Sequence, residues 1–183
     1  MTIKSIKIVV QDATYQDISQ IIQICESNLM SKNLSKMTAS DFSKSGFLMS
    51  KLEENHAKNM IDDKEHHIFL IAKQDDEVVG YISACDILKI AEEFTDEISQ
   101  LKKPILYHKQ IAKKPGIIGV GKALIEGLFM EAKNRNYNYI LCKIVEEPFL
   151  NKASIDFHEK YCFRKIRTVQ EKDRVVGIYL RNL

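Results

Sequence analysis

Lys113-Lys-Pro-Gly-Ile-Ile-Gly-Val-Gly-Lys122 is the stretch on which the fold turns. Three of the chain's 7 glycines, Gly116, Gly119 and Gly121, fall inside it. Before it, Pro104-Ile-Leu-Tyr-His-Lys-Gln-Ile-Ala112 reads as a strand. After it, Ala123, Leu124, Leu128 and Ala132 trace one face of a helix ending near Asn136. A strand that passes through glycines into a helix leaves unpaired backbone N–H groups at the helix N-terminus, where the helix dipole favours an anion. Glycine lets the main chain come close to a ligand and take up positive φ. Lys102, Lys103, Lys109, Lys113, Lys114 and Lys122 crowd the same region, with no acidic residue between Lys102 and Lys122. Together these features predict a site for a polyanionic ligand.

Three phosphate-binding patterns compete for the loop. Gly116 to Lys122 matches the G-x-x-x-x-G-K part of a nucleotide P-loop, but Ala123 stands where that loop needs a hydroxyl for Mg²⁺. The dinucleotide fingerprint G-x-G-x-x-G fails, because Gly119-Val-Gly121 is followed by Lys-Ala-Leu. The acyl-coenzyme A loop, [QR]-x-x-G-x-[GA], finds both required glycines in Gly119 and Gly121. It departs only at Gly116, where a long polar side chain is usual.

Outward from the loop, the pattern is that of one mixed domain spanning residues 1–183. Toward the N-terminus, Ile6, Ile8 and Val10 alternate as in a strand, and Asp12 is a candidate N-cap. It precedes an amphipathic helix with Ile18, Ile21, Ile22 and Cys25 on one face. Leu29 to about Lys64 is polar and helix-prone, with Thr38 and Ser40 as candidate caps and an apolar stripe of Leu48, Met49, Leu52 and Met60. His67 to Lys73 and Val78 to Ala84 read as a β-hairpin across Gln74-Asp-Asp-Glu77. Leu88 to Lys103 is a short helix or a loop. Toward the C-terminus come a strand from Tyr139 to Val145, a break at Pro148, a short helix from Ser154 to Tyr161, and strands over Phe163 to Val169 and Val175 to Leu180. This order predicts an α/β (α+β) fold with no linker or repeat.

Composition narrows the function. A 45% hydrophobic, 28% charged chain of 183 residues can bury a core and is not a disordered or disulfide-scaffold protein. A net charge of +2 makes no global case for nucleic-acid binding. The 4 cysteines, Cys25, Cys85, Cys142 and Cys162, are scattered, with no CxxC pair and no close histidine partner, so no metal site is expected. Met1 is followed by Thr-Ile-Lys-Ser rather than an apolar leader, and no apolar run is long enough for a membrane span. A cytoplasmic location with reduced thiols is expected, and no membrane partner.

A second segment, Asn151-Lys-Ala-Ser-Ile-Asp-Phe-His-Glu-Lys-Tyr-Cys-Phe163, follows the pattern N-x-x-S-x-x-[FL]-[YH]-x-x-x-G-F, with Cys162 in place of the glycine. With Ile105 to Lys133 before it, the chain resembles the GNAT N-acetyltransferase superfamily. The resemblance implies a central, mostly antiparallel mixed sheet flanked by helices, with splayed strands holding acetyl-CoA. It implies that the pantetheine arm meets the strand edge at Gln110, Ile111 and Ala112. The pyrophosphate would rest in the loop of Gly116, Ile117, Ile118, Gly119, Val120, Gly121 and Lys122. Asn151 and Ser154 would contact pantetheine or fix the following helix; Asn151 is equally a natural N-cap.

His158 stands where many relatives carry a tyrosine that protonates the leaving thiolate, and histidine can donate a proton near neutral pH. The base that deprotonates the amine is expected at Glu146 or Glu147, one facing the cleft by strand alternation, with Glu146 favoured. Tyr107 and His108 are further candidates, mutually exclusive by the same alternation. The acceptor pocket is expected from residues 29–67 and 91–103, with Phe47, Tyr81 and Phe94 lining it and Glu53, Glu54, Glu92 and Glu93 attracting a cation. The resemblance thus implies an acetyl-CoA-dependent N-acetyltransferase acting directly on a primary amine of a small molecule or peptide, as a monomer or homodimer. The alternatives are a non-catalytic acyl-CoA-binding domain on the same fold and a P-loop nucleotide-binding protein.

Overall fold

The computed structural model describes residues 7–33, 38, 46–89, 101 and 104–183. The element order is β1 (Ile8–Asp12), a 3-10 turn (Tyr15–Asp17), α1 (Ile18–Ser27), α2 (Met30–Asn33), α3 (Glu54–Asp62), β2 (His67–Gln74) and β3 (Glu77–Asp86). Then follow β4 (Ile105–Lys113), α4 (Val120–Asn134), β5 (Tyr139–Glu147), α5 (Lys152–Lys160), β6 (Arg164–Gln170) and β7 (Val175–Asn182). The strands form one seven-stranded sheet in the order β1-β2-β3-β4-β5-β7-β6. Every neighbouring pair is antiparallel except β4 and β5.

Strand alternation puts a core on each face of the sheet. Ile68, Leu70 and Ala72 of β2 pack with Val120, Leu124 and Leu128 of α4. Phe69 and Ile71 of the same strand pack with Ile21 and Ile24 of α1 and with Ala57 and Met60 of α3. The predicted spacing of Ile18, Ile21 and Cys25 is thus the buried stripe of α1. Its cap differs from expectation. Asp12 ends β1, and the turn into α1 is fixed by Asp17, whose carboxylate accepts from Thr14 N–H (2.9 Å) and Thr14 Oγ1 (2.6 Å) and pairs with Lys73 (2.8 Å). The expected cap at Ser40 and most of the segment 88–103 lie outside the described residues.

The one parallel pair positions the site. β4 and β5 are in register only at Ile105↔Tyr139, Leu106↔Ile140 and Tyr107↔Leu141. Past Tyr107, β4 stays with β3 and β5 stays with β7, so the two strands part. The divergence begins at a β-bulge in β4: Ser83 pairs with Gln110 and Ala84 with His108, leaving Lys109 as the extra residue. A bulge bends its strand and raises the local twist, which opens the sheet here. The antiparallel run of β4 beside β3 also rules out the parallel sheet of a P-loop protein, so that alternative falls.

Candidate active site

The parting strands open a cleft of about 450 Å³. β4 supplies one wall from Tyr107 to Lys113, and β5 the other from Cys142 to Val145. Gly121 of α4 and Asn151, Ser154, Phe157 and His158 of the α5 segment close one side. Phe47, Leu48, Met49 and Ser50 close the other. Among the described residues the β4 edge facing the cleft has no strand partner past Tyr107; Lys113 O accepts from the Asn28 amide (3.1 Å), and the edge N–H and C=O groups not so engaged are available to a ligand. Gln110 is held in place: its amide donates to Ser50 O (2.9 Å) and accepts from the Tyr81 hydroxyl (3.0 Å).

The glycine loop divides between two surfaces. Gly121 borders the cleft, and a Cβ there would lie 3.2 Å from Phe157 Cε2, so glycine lets α5 approach the start of α4. Gly119 caps α4 at φ 88, and no side-chain cap among the described residues bonds the first-turn N–H groups. Gly116, Ile117 and Ile118 border a separate groove with Asp75, Asp76 and Glu77. Gly116 has φ 80 with open space around it, which accounts for glycine where a long side chain was expected. Of the nearby lysines, Lys113 donates to Ile117 O (3.1 Å), Lys114 pairs with Glu77, and Lys122, largely exposed, lies 3.9 Å from Glu126 Oε1.

On α5, Asn151 is the N-cap: its Oδ1 accepts from Ser154 N–H (3.4 Å), and its amide donates to Phe47 O (3.0 Å). The helix carries His158 inward, 3% exposed, with its ring edge-on to Phe157 and Phe163. Its Nδ1 lies 2.7 Å from Ser154 O and its Nε2 lies 3.3 Å from Nδ1 of His108, itself 3% exposed. Burial pushes the His158 imidazole down to about 4. Burial, and the neighbouring His158, push His108 to about 3. Both rings are therefore neutral at pH 7.

Three expectations need correction. Glu146 does not reach the cleft: it sits at a bulge between Val145 and Glu147, accepts from the Tyr179 hydroxyl (3.0 Å) and pairs with Lys165 (2.6 Å). Glu147 is exposed and also absent from the cleft lining. Tyr107 and His108 are not mutually exclusive, since a cleft cut through the sheet is reached from both faces, and both line it. Cys142, without a histidine near in sequence, is brought within 4.8 Å of His108 and His158. Burial pushes its thiol far up, which keeps it protonated and a poor nucleophile.

Among the expected pocket residues, Phe47 lines the cleft, Tyr81 is fully buried behind Gln110, and Phe94, Glu92 and Glu93 lie outside the described residues. Glu53 and Glu54 are exposed and paired with Lys51 and Lys58. Sequence reasoning missed a charged trio at the cleft: Glu171 bridges Lys143 (3.1 Å) and Arg174 (2.6 Å). Burial alone would raise the Glu171 carboxyl, but hydrogen bonds from Arg174 and Lys143 outweigh it, so the group is lowered and weakly basic. Lys143 follows from alternation along β5; nothing in the sequence marks the turn that carries Glu171 and Arg174.

A sheet split beside one parallel pair, with a helix N-terminus at the split, defines an acyltransferase type of α/β fold. The chain belongs to the acetyltransferase (GNAT) family, whose model matches residues 33–162. Similar solved structures include Ard1 from Thermoplasma volcanium (14% identity, TM-score 0.68, covering 96% of this chain and 97% of that one). Arabidopsis thaliana NAA60, solved with a bisubstrate analogue, is similar at 15% identity and TM-score 0.68, covering 96% and 98%. PaiA N-acetyltransferase from Thermoplasma acidophilum, solved with coenzyme A, is similar at 13% identity and TM-score 0.65, covering 94% and 98%. No curated protein sequence matches the chain.

Proposed function

We propose that this protein is an N-acetyltransferase that passes an acetyl group directly from acetyl-CoA to a primary amine of a small molecule or peptide. The observation that carries the assignment is the cleft where β4 leaves β5, with an unpartnered strand edge on one wall and the start of α4 at its side. The residues fit the donor. Gly121 leaves a gap beside Phe157 that a Cβ would fill, and the unpartnered β4 edge offers main-chain groups to amides. In this assignment Gln110, Ile111 and Ala112 meet the pantetheine arm, and the N–H groups of Val120, Gly121 and Lys122 meet the pyrophosphate within the loop from Gly116. Asn151 shapes α5 as its cap, and Ser154 and His158 face the arm.

Acetyl-CoA supplies a thioester already activated toward amines. The chain's part is to bind it, to hold the carbonyl against a backbone N–H near Ile111, and to manage two protons: one lost from the ammonium to solvent before attack, and one that leaves nitrogen as the amide forms while the sulfur gains one. An amine of pKa about 10.4 is almost wholly protonated at pH 7, so deprotonation is a necessary step. Glu146 is unsuited to that role where it lies. His158 is the assigned proton donor to the departing sulfur. No disulfide joins the 4 cysteines, all of them among the described residues, which accords with a reducing, cytoplasmic setting. Among the described residues, no helix is long and apolar enough to cross a membrane.

A thiol-release screen with acetyl-CoA over polyamines, amino acids, aminoglycosides and peptide N-termini tests the proposal. Acceptor-dependent thiol release is expected for at least one class. Saturable acetyl-CoA binding without release for any class would instead favour the non-catalytic domain, which the absence of Glu146 and Glu147 from the cleft speaks for.

A further inference from the structure

The cleft passes through the sheet, and the mouth opposite α4 is cationic. Cys142 and Ile144 of β5 lie in the core beneath α4, so alternation turns Lys143 and Val145 to the other face, where Val145 packs with Phe47. Lys109, the extra residue of the β4 bulge, lies toward the same face: burial, and then the positive charge of Lys109, lower the His56 imidazole on α3. Arg174 reaches the cleft from the turn between β6 and β7. Lys113 also lines the cleft but is turned to Ile117 O in the glycine loop. Among the described residues this mouth therefore sets Lys109, Lys143 and Arg174 against a single carboxylate, Glu171.

That carboxylate is already engaged. One oxygen meets Lys143 (3.1 Å) and the other meets Nε of Arg174 (2.6 Å). Glu53 and Glu54, expected to draw a cationic amine, are absent from the lining. Arg174 commits to Glu171 only Nε–H, one of its five N–H donors, and the bond fixes the plane of the guanidinium. Lys109 has no ion-pair partner among the described residues. A ligand that is cationic throughout meets like charges here. A carboxylate finds a guanidinium fork and an ammonium, partly screened from water, where charge-assisted bonds are stronger than on an open surface.

We propose that the acceptor carries a carboxylate close to its amine, and that Arg174 and Lys109 hold this carboxylate while the amine meets the acetyl group. Glu171 acts as a positioning residue for Arg174. The carboxylate site rests on the acetyltransferase assignment above and narrows its acceptor to a free amino acid or a peptide with an acidic first residue. Polyamines and aminoglycosides are excluded by charge.

Two acceptor pairs isolate the carboxylate: alanine against alaninamide, and a peptide amide beginning with aspartate against one beginning with asparagine. In thiol release with acetyl-CoA, the carboxylate member of one pair is expected to lead by about 10–100-fold in kcat/KM. A lead in the first pair marks a free amino acid, and in the second a peptide. R174Q keeps a donor for Glu171 but loses the charge, and is expected to cost the preferred acceptor a similar factor, mainly in KM. K109Q, on a different element, should cost it about fivefold. R174Q and removal of the acceptor's carboxylate together should cost no more than the larger loss alone. A purely structural tie between the β6–β7 turn and β5 would not produce that coupling.

The N-acetylated forms of the same pairs, titrated calorimetrically with coenzyme A added, read the preference without turnover. The acetylated acid is expected to bind about tenfold tighter than its amide in wild type, and equally in R174Q. Equal affinity within both acetylated pairs, a polyamine as the best acceptor, or multiplicative losses in R174Q would overturn the carboxylate site. If no acceptor releases thiol while the acetylated acids keep their preference and R174Q abolishes it, the acetyltransferase assignment fails and the carboxylate site stands.

Discussion

Cys162 takes a left-handed backbone conformation, φ 64, at the position where the segment pattern calls for glycine. The turn after α5 therefore keeps the shape a glycine would give and bears the strain of a Cβ. Cys162→Gly is expected to stabilise the protein by about 0.5–1 kcal/mol, read as a higher urea midpoint at unchanged slope. Asn151→Ala should do the reverse. It removes a cap worth about 1 kcal/mol and leaves Phe47 O without the Asn151 amide, so a loss of about 2–3 kcal/mol is expected in the same experiment. At this scale the sequence was readable where chemistry is local, as with the cap at Asn151 or the glycine at 119. It misplaced Glu146 because a bulge in β5 and a partner on β7, Tyr179, decide where that carboxylate points. No short-range signal reports either one. His108 and His158 are 50 positions apart, and only the fold makes them a pair.

Among the elements, α4 depends on how closely β3 lets it approach. A Cβ on Gly80 would lie 2.5 Å from Val120 Cγ1 and 2.9 Å from Ala112 O. Gly80→Ala must therefore push the first turn of α4 away from β3 and β4. An overpacking loss of about 1–3 kcal/mol is expected, with acetyl-CoA affinity falling more than stability alone predicts; unchanged affinity would detach α4 from the donor site. The hairpin β2–β3, α1, α4 and the strands around them are written in periodicity and turn residues, and their observed spans follow those patterns. The parting of β4 from β5 is not. It arises from one extra residue, Lys109, and from the different partners the two strands keep, which periodicity along a single strand does not encode.

At the scale of the whole molecule, the buried histidines make stability depend on pH. Unfolded, each imidazole titrates near 6.5; folded, His108 and His158 do so at about 3 and about 4. Below pH 6.5 the unfolded chain takes up protons that the native state refuses, so stability falls as pH falls. At pH 5 the loss relative to pH 7 is about 2 kcal/mol for each buried ring. His56 and His67, lowered mainly by burial, act in the same direction. The lowered carboxylates of Asp17 and Glu171 contribute stability that is lost only below the ordinary carboxylate range, outside this window. Urea midpoints at pH 7 and pH 5 should differ in wild type and differ less in H158F. Equal midpoints would mean the pair is not buried and neutral.

Reception of acetyl-CoA by the cleft beside α4 is what everything else depends on. Calorimetric titration of acetyl-CoA into wild type and into Gly121→Val tests it most directly, because a Cβ at 121 already lies 3.2 Å from Phe157 Cε2 at the cleft edge. Saturable one-to-one binding to wild type, weakened at least about tenfold in the variant, is the predicted result. Absence of binding, or equal affinity in both proteins, would contradict it.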